Sequence, residues 1–251
     1  MSPGQVVLLA AAGLVAGAVN TAAGGGSLLT FPVLLATGHG ALEANITNTL
    51  GITPGNLAGA LAYRAEIARV RQRSGRLAID AAVGAVVGTV LLLVAPPGAF
   101  RDVVPALLVG ASILLVLQPG IAARLAARAD AGEHTLPRPV HVAVLIGSIY
   151  GGYFGAALGV LLLALLGLVL PDDLHQVNGL KTMLQFVTNA VAAVGLAIFG
   201  PVDWAAVLIL AVASPIGGYA GASVARRIPA PALRLGVALV GTAAAIVLIV
   251  R

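Results

Sequence analysis

Apolar residues along this chain fall into long runs rather than alternating with polar ones. Six runs, roughly 41–63, 77–95, 103–118, 176–199, 203–223 and 232–250, are apolar almost throughout. Each approaches the roughly 20 residues that carry an α-helix across the ~30 Å hydrocarbon core of a bilayer. Two further runs, 5–37 and 140–170, are too long for one ordinary span. The first is interrupted by Asn20-Thr21-Ala22-Ala23-Gly24-Gly25-Gly26-Ser27, the second by Tyr150-Gly151-Gly152-Tyr153-Phe154-Gly155. The limbs beside each break are about 12–15 residues, or about 18–22 Å of helix, which is short for a bilayer. Each interrupted run is therefore expected to form a broken helix or a re-entrant hairpin.

Composition sharpens the class. Of 251 residues, 59% are hydrophobic and 9% charged, where a soluble domain usually carries about 25% charged residues. So few charges cannot cover a soluble protein of this size, whereas in lipid the outer surface is itself apolar. The absence of cysteine excludes disulfides, thiolate metal sites and a cysteine nucleophile. The net charge of +5 comes from arginines between the apolar runs, so it does not indicate nucleic acid. The start, MSPGQVVLLAAAGLVAG, lacks the basic opening of a secretory signal peptide and is expected to be part of the fold.

Arginines orient the spans, because short cytoplasmic loops are enriched in them. Arg64, Arg69, Arg71, Arg73 and Arg76 place segment 64–76 inside; Arg124, Arg128 and Arg138 do the same for 119–139, two spans later. Arg226, Arg227 and Arg234 also favour the inside, while the Gly-Pro-Val-Asp link at 200–203 has no basic residue and reads as outside. An odd number of crossings between 139 and 200 is then required, and a re-entrant 140–170 supplies it.

The two halves correspond. Asn45 maps to Asn178, Asn56 to Asn189, Leu28-Leu29 to Leu161-Leu162 and Gly26 to Gly159, all at an offset of 133. With the arginine rule, the halves are expected to be inverted relative to one another, an arrangement that in transporters places substrate at the midplane between repeats; parallel repeats are the alternative if the arginines do not set the orientation. The expected fold is an all-α integral membrane protein of two inverted-topology repeats, each of about four helical segments including one broken or re-entrant hairpin. Residues 1–118 form the first repeat, 119–139 a cytoplasmic linker and 140–251 the second repeat, within one membrane domain.

Several of these residues also carry a resemblance. The runs Gly13 to Gly17, Asn20-Thr21 with Gly24-Gly25-Gly26-Ser27 through Pro32, Asn45 with Thr47-Asn48-Thr49, and Pro54-Gly55 resemble the TauE/SafE family of sulfite and organosulfonate exporters. The second half fits as well, through Gly151-Gly152-Tyr153-Phe154-Gly155, Asn178-Gly179-Leu180-Lys181, Asn189 and Val202-Asp203-Trp204. The family commonly has Ala where Gly179 stands. The resemblance spans nearly the whole chain. It implies a secondary transporter, an exporter or permease, for a sulfur oxyanion such as sulfite or an organosulfonate, in a bacterial cytoplasmic membrane.

Chemistry for an oxyanion is present in the polar breaks. Glycines 24–26 would let an anion approach the backbone where a helix begins, Ser27 could cap that helix or donate its hydroxyl, and Asn20 and Thr21 add polar groups to the same turn. Close helix packing is the competing role for those glycines. Asn45 and Asn48 share one helix face, as do Asn178 and Lys181, and pseudosymmetry would bring both pairs to one centre with residues 153–155. Interhelical hydrogen bonding is the competing role for the asparagines, with Asn56 and Asn189 weaker candidates. Lys181 is the basic side chain set deepest in an apolar run, and intramembrane charges are costly and usually functional; snorkelling to the headgroups is its alternative. The substrate-binding set is thus Asn20, Thr21, Gly24, Gly25, Gly26, Ser27, Asn45, Asn48, Tyr153, Phe154, Gly155, Asn178 and Lys181.

Glu43, Asp80, Asp172, Asp173 and Asp203 lie near span ends and read as interface residues, with His39 and His175 as loop histidines that could titrate near neutral pH. Trp204 reads as an interfacial anchor. No metal, cofactor or catalytic residue is expected; the partners are a small anion and the bilayer, and a homodimer is an admissible assembly. An anion channel or another small-anion permease is the alternative. A membrane scaffold would not need polar breaks repeated in both halves. An intramembrane enzyme or an ATP-driven pump would need motifs such as HExxH, GxSxG or a Walker A loop, none of which occurs.

Overall fold

A backbone surrounded by hydrocarbon must satisfy its own hydrogen bonds, which leaves the helix as the simplest solution for apolar runs of this length. The structure, a computed structural model, describes residues 1–22, 24–96, 98–126, 138–170, 174–224 and 230–250. Among the described residues all regular elements are α-helices: α1 (Pro3–Ala22), α2 (Ser27–Ala36), α3 (Ala41–Ala62), α4 (Arg64–Arg69), α5 (Arg71–Val94), α6 (Ala99–Ala126), α7 (Arg138–Tyr153), α8 (Leu158–Val169), α9 (Leu174–Phe199), α10 (Trp204–Val224) and α11 (Ala230–Val250). Four of them, α1, α5, α6 and α9, hold apolar stretches of 19 to 24 residues, long enough to cross a membrane. Large apolar side chains stand exposed in single stripes, such as Leu208, Val212 and Ile216 on α10 and Val83, Val87 and Val94 on α5. An outer surface of that kind suits lipid and would be an aggregation hazard in water.

Both interrupted runs are hairpins. In the first, the Gln5 amide donates to the Thr37 carbonyl at 3.2 Å, and Gly26 packs on the Ala16 carbonyl, so α2 runs back antiparallel along α1. In the second, Gly151 packs on Leu158 and Gly147 on Leu162, so α8 returns along α7. Gly24 (φ 84°) and Gly155 (φ 73°) turn the chain in left-handed conformations that cost glycine little. Ala157 adopts the same region (φ 56°) ahead of α8 despite its Cβ.

Some elements depart from the sequence reading. The segment 64–76 is helical, forming α4 and the first turns of α5, because Glu66 and the long arginine side chains are good helix formers. The first limb of the first hairpin is longer than expected: α1 has 20 residues and α2 has 10. Tyr150 to Tyr153 belong to α7, so the second break is confined to residues 154–157. Helix α6 continues past residue 118 to Ala126. Pro54 lies inside α3, where its missing N–H leaves the Leu50 carbonyl without its helical donor, and the neighbouring Gly51 carbonyl accepts a bond from the Ser214 hydroxyl at 3.1 Å.

The packing pairs elements across the two halves. Helix α1 lies along α10, and α7 lies along α5. These are counterparts if α1 corresponds to α7 and α5 to α10. Small residues make both contacts close: an added Cβ at Gly217 would meet the Leu14 carbonyl at 1.9 Å, and one at Gly84 would meet the Leu145 carbonyl at 2.6 Å. Gly84 and Gly217 are themselves 133 residues apart, a correspondence that sequence comparison had available. Helices α3 and α9 cross the middle antiparallel to each other, Gly59 meeting Thr182 at one end and Ile46 meeting Gly200 at the other.

Packing this tight predicts a sharp contrast among glycines. A methyl at Gly17 would sit 2.0 Å from the Ser214 carbonyl, whereas one at Gly110 meets nothing within 4 Å. Gly17→Ala should therefore lower the stability of the detergent-solubilised protein by about 1–3 kcal/mol, the usual range for overpacking, and Gly110→Ala should leave its Tm unchanged. Comparable Tm values for the two variants would mean that α1 and α10 are not in this close contact.

Candidate functional site

Polar side chains in an apolar bundle concentrate where the hairpin tips meet α3 and α9. Gly24 at the first tip abuts Gly159 at the start of α8; a Cβ on either would lie 2.6 Å from backbone atoms of the other. The tips can touch only because neither residue has a side chain. Asn20 and Gln185 lie beside this contact, and Asn45, Thr49 and Asn189 beside the second tip. Thr21, Ser27, Asn56, Lys181 and Thr188 are buried as well; because α3 and α9 are antiparallel, Asn45 near the start of α3 and Lys181 near the start of α9 lie towards opposite ends of that pair.

Part of this polarity holds the tips in shape. The Asn20 carbonyl accepts from the Gly26 N–H at 2.7 Å and from the Gln185 amide at 3.5 Å, while its own amide donates to Asn56 at 3.1 Å. Thr21 donates to the carbonyls of Gly17 and Gly218. Asn45 donates to the Tyr153 carbonyl at 3.1 Å, tying α3 to the second tip. Thr30 donates to Asn48 within the first half, so Asn48 is held locally. Tyr153 packs its ring on Phe100, and Phe154 fills the apolar core against Phe31, with ring centroids 5.5 Å apart. Of residues 153–155, it is the backbone that faces the polar centre.

The remainder is unspent. The Lys181 Nζ is fully buried with no hydrogen-bond partner, and the same holds for Ser27 Oγ, Asn56 Nδ2 and the side-chain oxygens of Asn45, Asn178 and Asn189. Lys181 is 0% exposed, so its stem does not carry the ammonium to the surface, which argues against snorkelling. An unpaired buried ammonium costs several kcal/mol, so proteins rarely retain one without a use for it. Lys181 sits one turn from Asn178 and one turn from Gln185, all on one face of α9, and Gln185 touches both tips. Sequence reasoning passed over Gln185, although its i+4 spacing from Lys181 was a usable signal. It also passed over Thr188 and Ser148, whose hydroxyls bond each other at 3.0 Å.

Two histidine–aspartate pairs lie away from this centre. His39 Nε2 meets the Asp203 carboxylate at 2.9 Å, and His141 Nδ1 meets Asp80 at 2.6 Å. Burial works to raise the Asp203 carboxyl, but the bond from His39 and the N–H groups of Ala206 and Ala205 outweigh it and hold the group below the usual aspartate range. Asp203 and Asp80 were expected to be plain interface residues; both are paired. Trp204, half exposed at the start of α10, is placed as an anchor would be. Asp172 and Asp173, and the side chain of His175, lie outside the described residues. Among the described residues no cluster of His, Cys, Asp and Glu could hold a metal ion.

An all-helical bundle, apolar outside and polar at the meeting point of two hairpins, defines a helical membrane protein with a buried polar centre. The family described as sulfite exporter TauE/SafE matches residues 9–248, and the chain belongs to that family of membrane transporters. It is similar to probable membrane transporter protein ORF9 of Sinorhizobium sp., 27% identical over 226 residues, covering 86% of this chain and 81% of that protein. It is also similar to probable membrane transporter protein YfcA of Escherichia coli K12, 24% identical over 222 residues, covering 88% of this chain and 81% of that one. No solved structure matches the chain significantly.

The bonding around Asn20 predicts its role. Asn20→Ala leaves the Gly26 N–H and the Asn56 carbonyl buried without partners, at about 1–3 kcal/mol for each unsatisfied group. A thermal melt should show a larger loss for Asn20→Ala than for Asn56→Ala, which removes one bond of the set. Equal losses would mean that Asn20 does not hold the first tip.

Proposed function

We propose that this protein is a secondary transporter, most simply an exporter, of a small sulfur-containing anion such as sulfite or an organosulfonate across a bacterial cytoplasmic membrane. The observation that carries this reading is the fully buried, unpartnered Lys181 ammonium, one turn along α9 from Gln185, which touches both abutting hairpin tips. An oxyanion would neutralise the ammonium and accept hydrogen bonds from Lys181, the Asn56 amide and the Ser27 hydroxyl. One buried cation among the described residues matches one negative charge. A dianion would bring a second, uncompensated charge into a low-dielectric site. Organosulfonates and hydrogensulfite therefore fit better than sulfate.

The same reading takes the halves as inverted repeats whose hairpins enter from opposite faces. It is supported by the exchange of packing partners between the halves and by α1 and α7 starting at opposite ends of the α3–α9 pair. Substrate between the tips would face one side or the other as the hairpins move, which is alternating access at a midplane site. The description of the family as sulfite exporters supports this substrate class.

The test is a thermal-shift titration in detergent with sulfite, a small organosulfonate, thiosulfate, sulfate and chloride, wild type beside Lys181→Met. A ligand that binds only the folded state adds about 2.7 kcal/mol at a hundredfold excess over Kd. The wild type should show a saturable shift with a sulfur monoanion and a smaller one with sulfate. Lys181→Met should lose the shift while melting at or above the wild-type temperature without ligand, since an unpaired buried charge is removed. A sulfite or sulfonate shift that survives in Lys181→Met contradicts the assignment, as does a saturable shift with chloride alone.

A further inference from the structure

Each hairpin is fastened near its open end by a histidine–aspartate pair, and the two pairs lie at opposite ends of the bundle. His39 follows α2 and bonds Asp203, the residue that opens α10. His141, in the first turn of α7, bonds Asp80 near the start of α5. In both cases the aspartate belongs to the helix that lies along the first arm of that hairpin, α10 beside α1 and α5 beside α7. The ends are opposite because α3, which begins beside His39, runs antiparallel to α9, while α5 runs parallel to it: Glu66 and Ile67 of α4, just ahead of α5, meet Gly179, and Thr89 of α5 meets Gly195.

The first pair has polar partners on both sides of the ring. The His39 Nε2 faces the Asp203 carboxylate at 2.9 Å, and its Nδ1 faces the Leu34 carbonyl at 3.1 Å and the Thr37 hydroxyl oxygen at 3.0 Å. The Thr37 hydroxyl is itself 2.8 Å from the Leu34 carbonyl, placed to donate to it. The doubly protonated ring donates on both sides, whereas the neutral ring donates to Asp203 alone and accepts from the Thr37 hydroxyl at Nδ1. A cavity of about 810 Å³ between α2, α6 and α11 reaches His39. Of the charged groups around the pair, Arg101 from α6 lines that cavity and opposes a second cation, Glu43 lies in the first turn of α3, and α11 contributes only apolar side chains to the cavity wall. Around the second pair, Arg76 precedes Asp80 by one turn on α5 and Arg138 opens α7 one turn before His141; residues 171–173 lie outside the described set.

We propose that these pairs are proton-operated latches, one for each end of the bundle, and that they link proton binding to the opening of the hairpins. Proton uptake turns a hydrogen bond from a neutral imidazole to a carboxylate into an ion pair, in which donor and acceptor are both charged. Histidine is the side chain that makes this change near neutral pH. The end of the bundle with more protons therefore keeps its hairpin fastened, and the opposite end is the one released. A proton gradient across the membrane biases which face opens. The coupling to transport rests on the proposed function; the latch itself does not.

Hydrogen–deuterium exchange of the full chain in lipid nanodiscs tests the latches without any anion. Exchange would be followed over about pH 5.5 to 8, where histidine changes charge, with rates divided by the intrinsic rate at each pH. In the wild type, protection of residues 33–40 and of 138–146 should fall as pH rises. Asp203→Asn keeps an N-cap for α10 but removes the charge. It should speed exchange at 33–40 about three- to tenfold at the acid end, flatten its pH dependence and leave 138–146 unchanged. Asp80→Asn should do the reverse. Protection that is independent of pH in the wild type, or unaltered at 33–40 by Asp203→Asn, would overturn the proposal. Failure of the anion titration with these protection patterns intact would leave the latches standing and remove only the substrate assignment.

Discussion

The contact between Gly24 and Gly159 is the constraint on which the rest of the arrangement depends. Two chain reversals inside an apolar bundle leave backbone groups without helical partners, and such groups are tolerated only where protein satisfies them. Asn20 serves the first reversal through the Gly26 N–H, and Asn45 reaches the second at the Tyr153 carbonyl. Gln185 and Asn56 close the network from α9 and α3. Because the tips can approach only without side chains, glycines mark the place where the two halves meet.

Stability and function then pull apart within a few ångströms. The amides that bond across the tips make the fold rigid. The polar atoms left over, above all the Lys181 ammonium, make this centre less stable than an apolar one would be. That imbalance is what a ligand of opposite charge relieves. Among the described residues no Asp or Glu is buried, so no buried carboxylate of the protein's own offsets that ammonium.

Much of this was legible in the sequence. Length and hydrophobicity located α3, α9, α10 and α11 to within about two residues, and the glycine-rich breaks pointed to two hairpins, because both signals arise from the backbone's need for internal hydrogen bonds. The Asn-based offset of 133 also extends to Gly84 and Gly217, which became visible once both were seen against leucine carbonyls. What a single sequence did not show was how polar groups divide between holding and binding. Asn20 and Asn48 read the same as Asn178, yet the first two are bonded inside the first half and Asn178 keeps a free oxygen. The histidine–aspartate pairs were hidden for a similar reason: His39 and Asp203 are 164 residues apart, and only the fold brings them to 2.9 Å.

The most direct measurement of the central claim is counterflow of isotope-labelled sulfite or a small labelled sulfonate into proteoliposomes preloaded with the unlabelled anion. The account predicts saturable accumulation with the wild type, competed weakly by sulfate, and none with Lys181→Met although that variant folds. Equal accumulation by wild type and Lys181→Met would contradict it, since the buried ammonium would then have no part in carrying the anion.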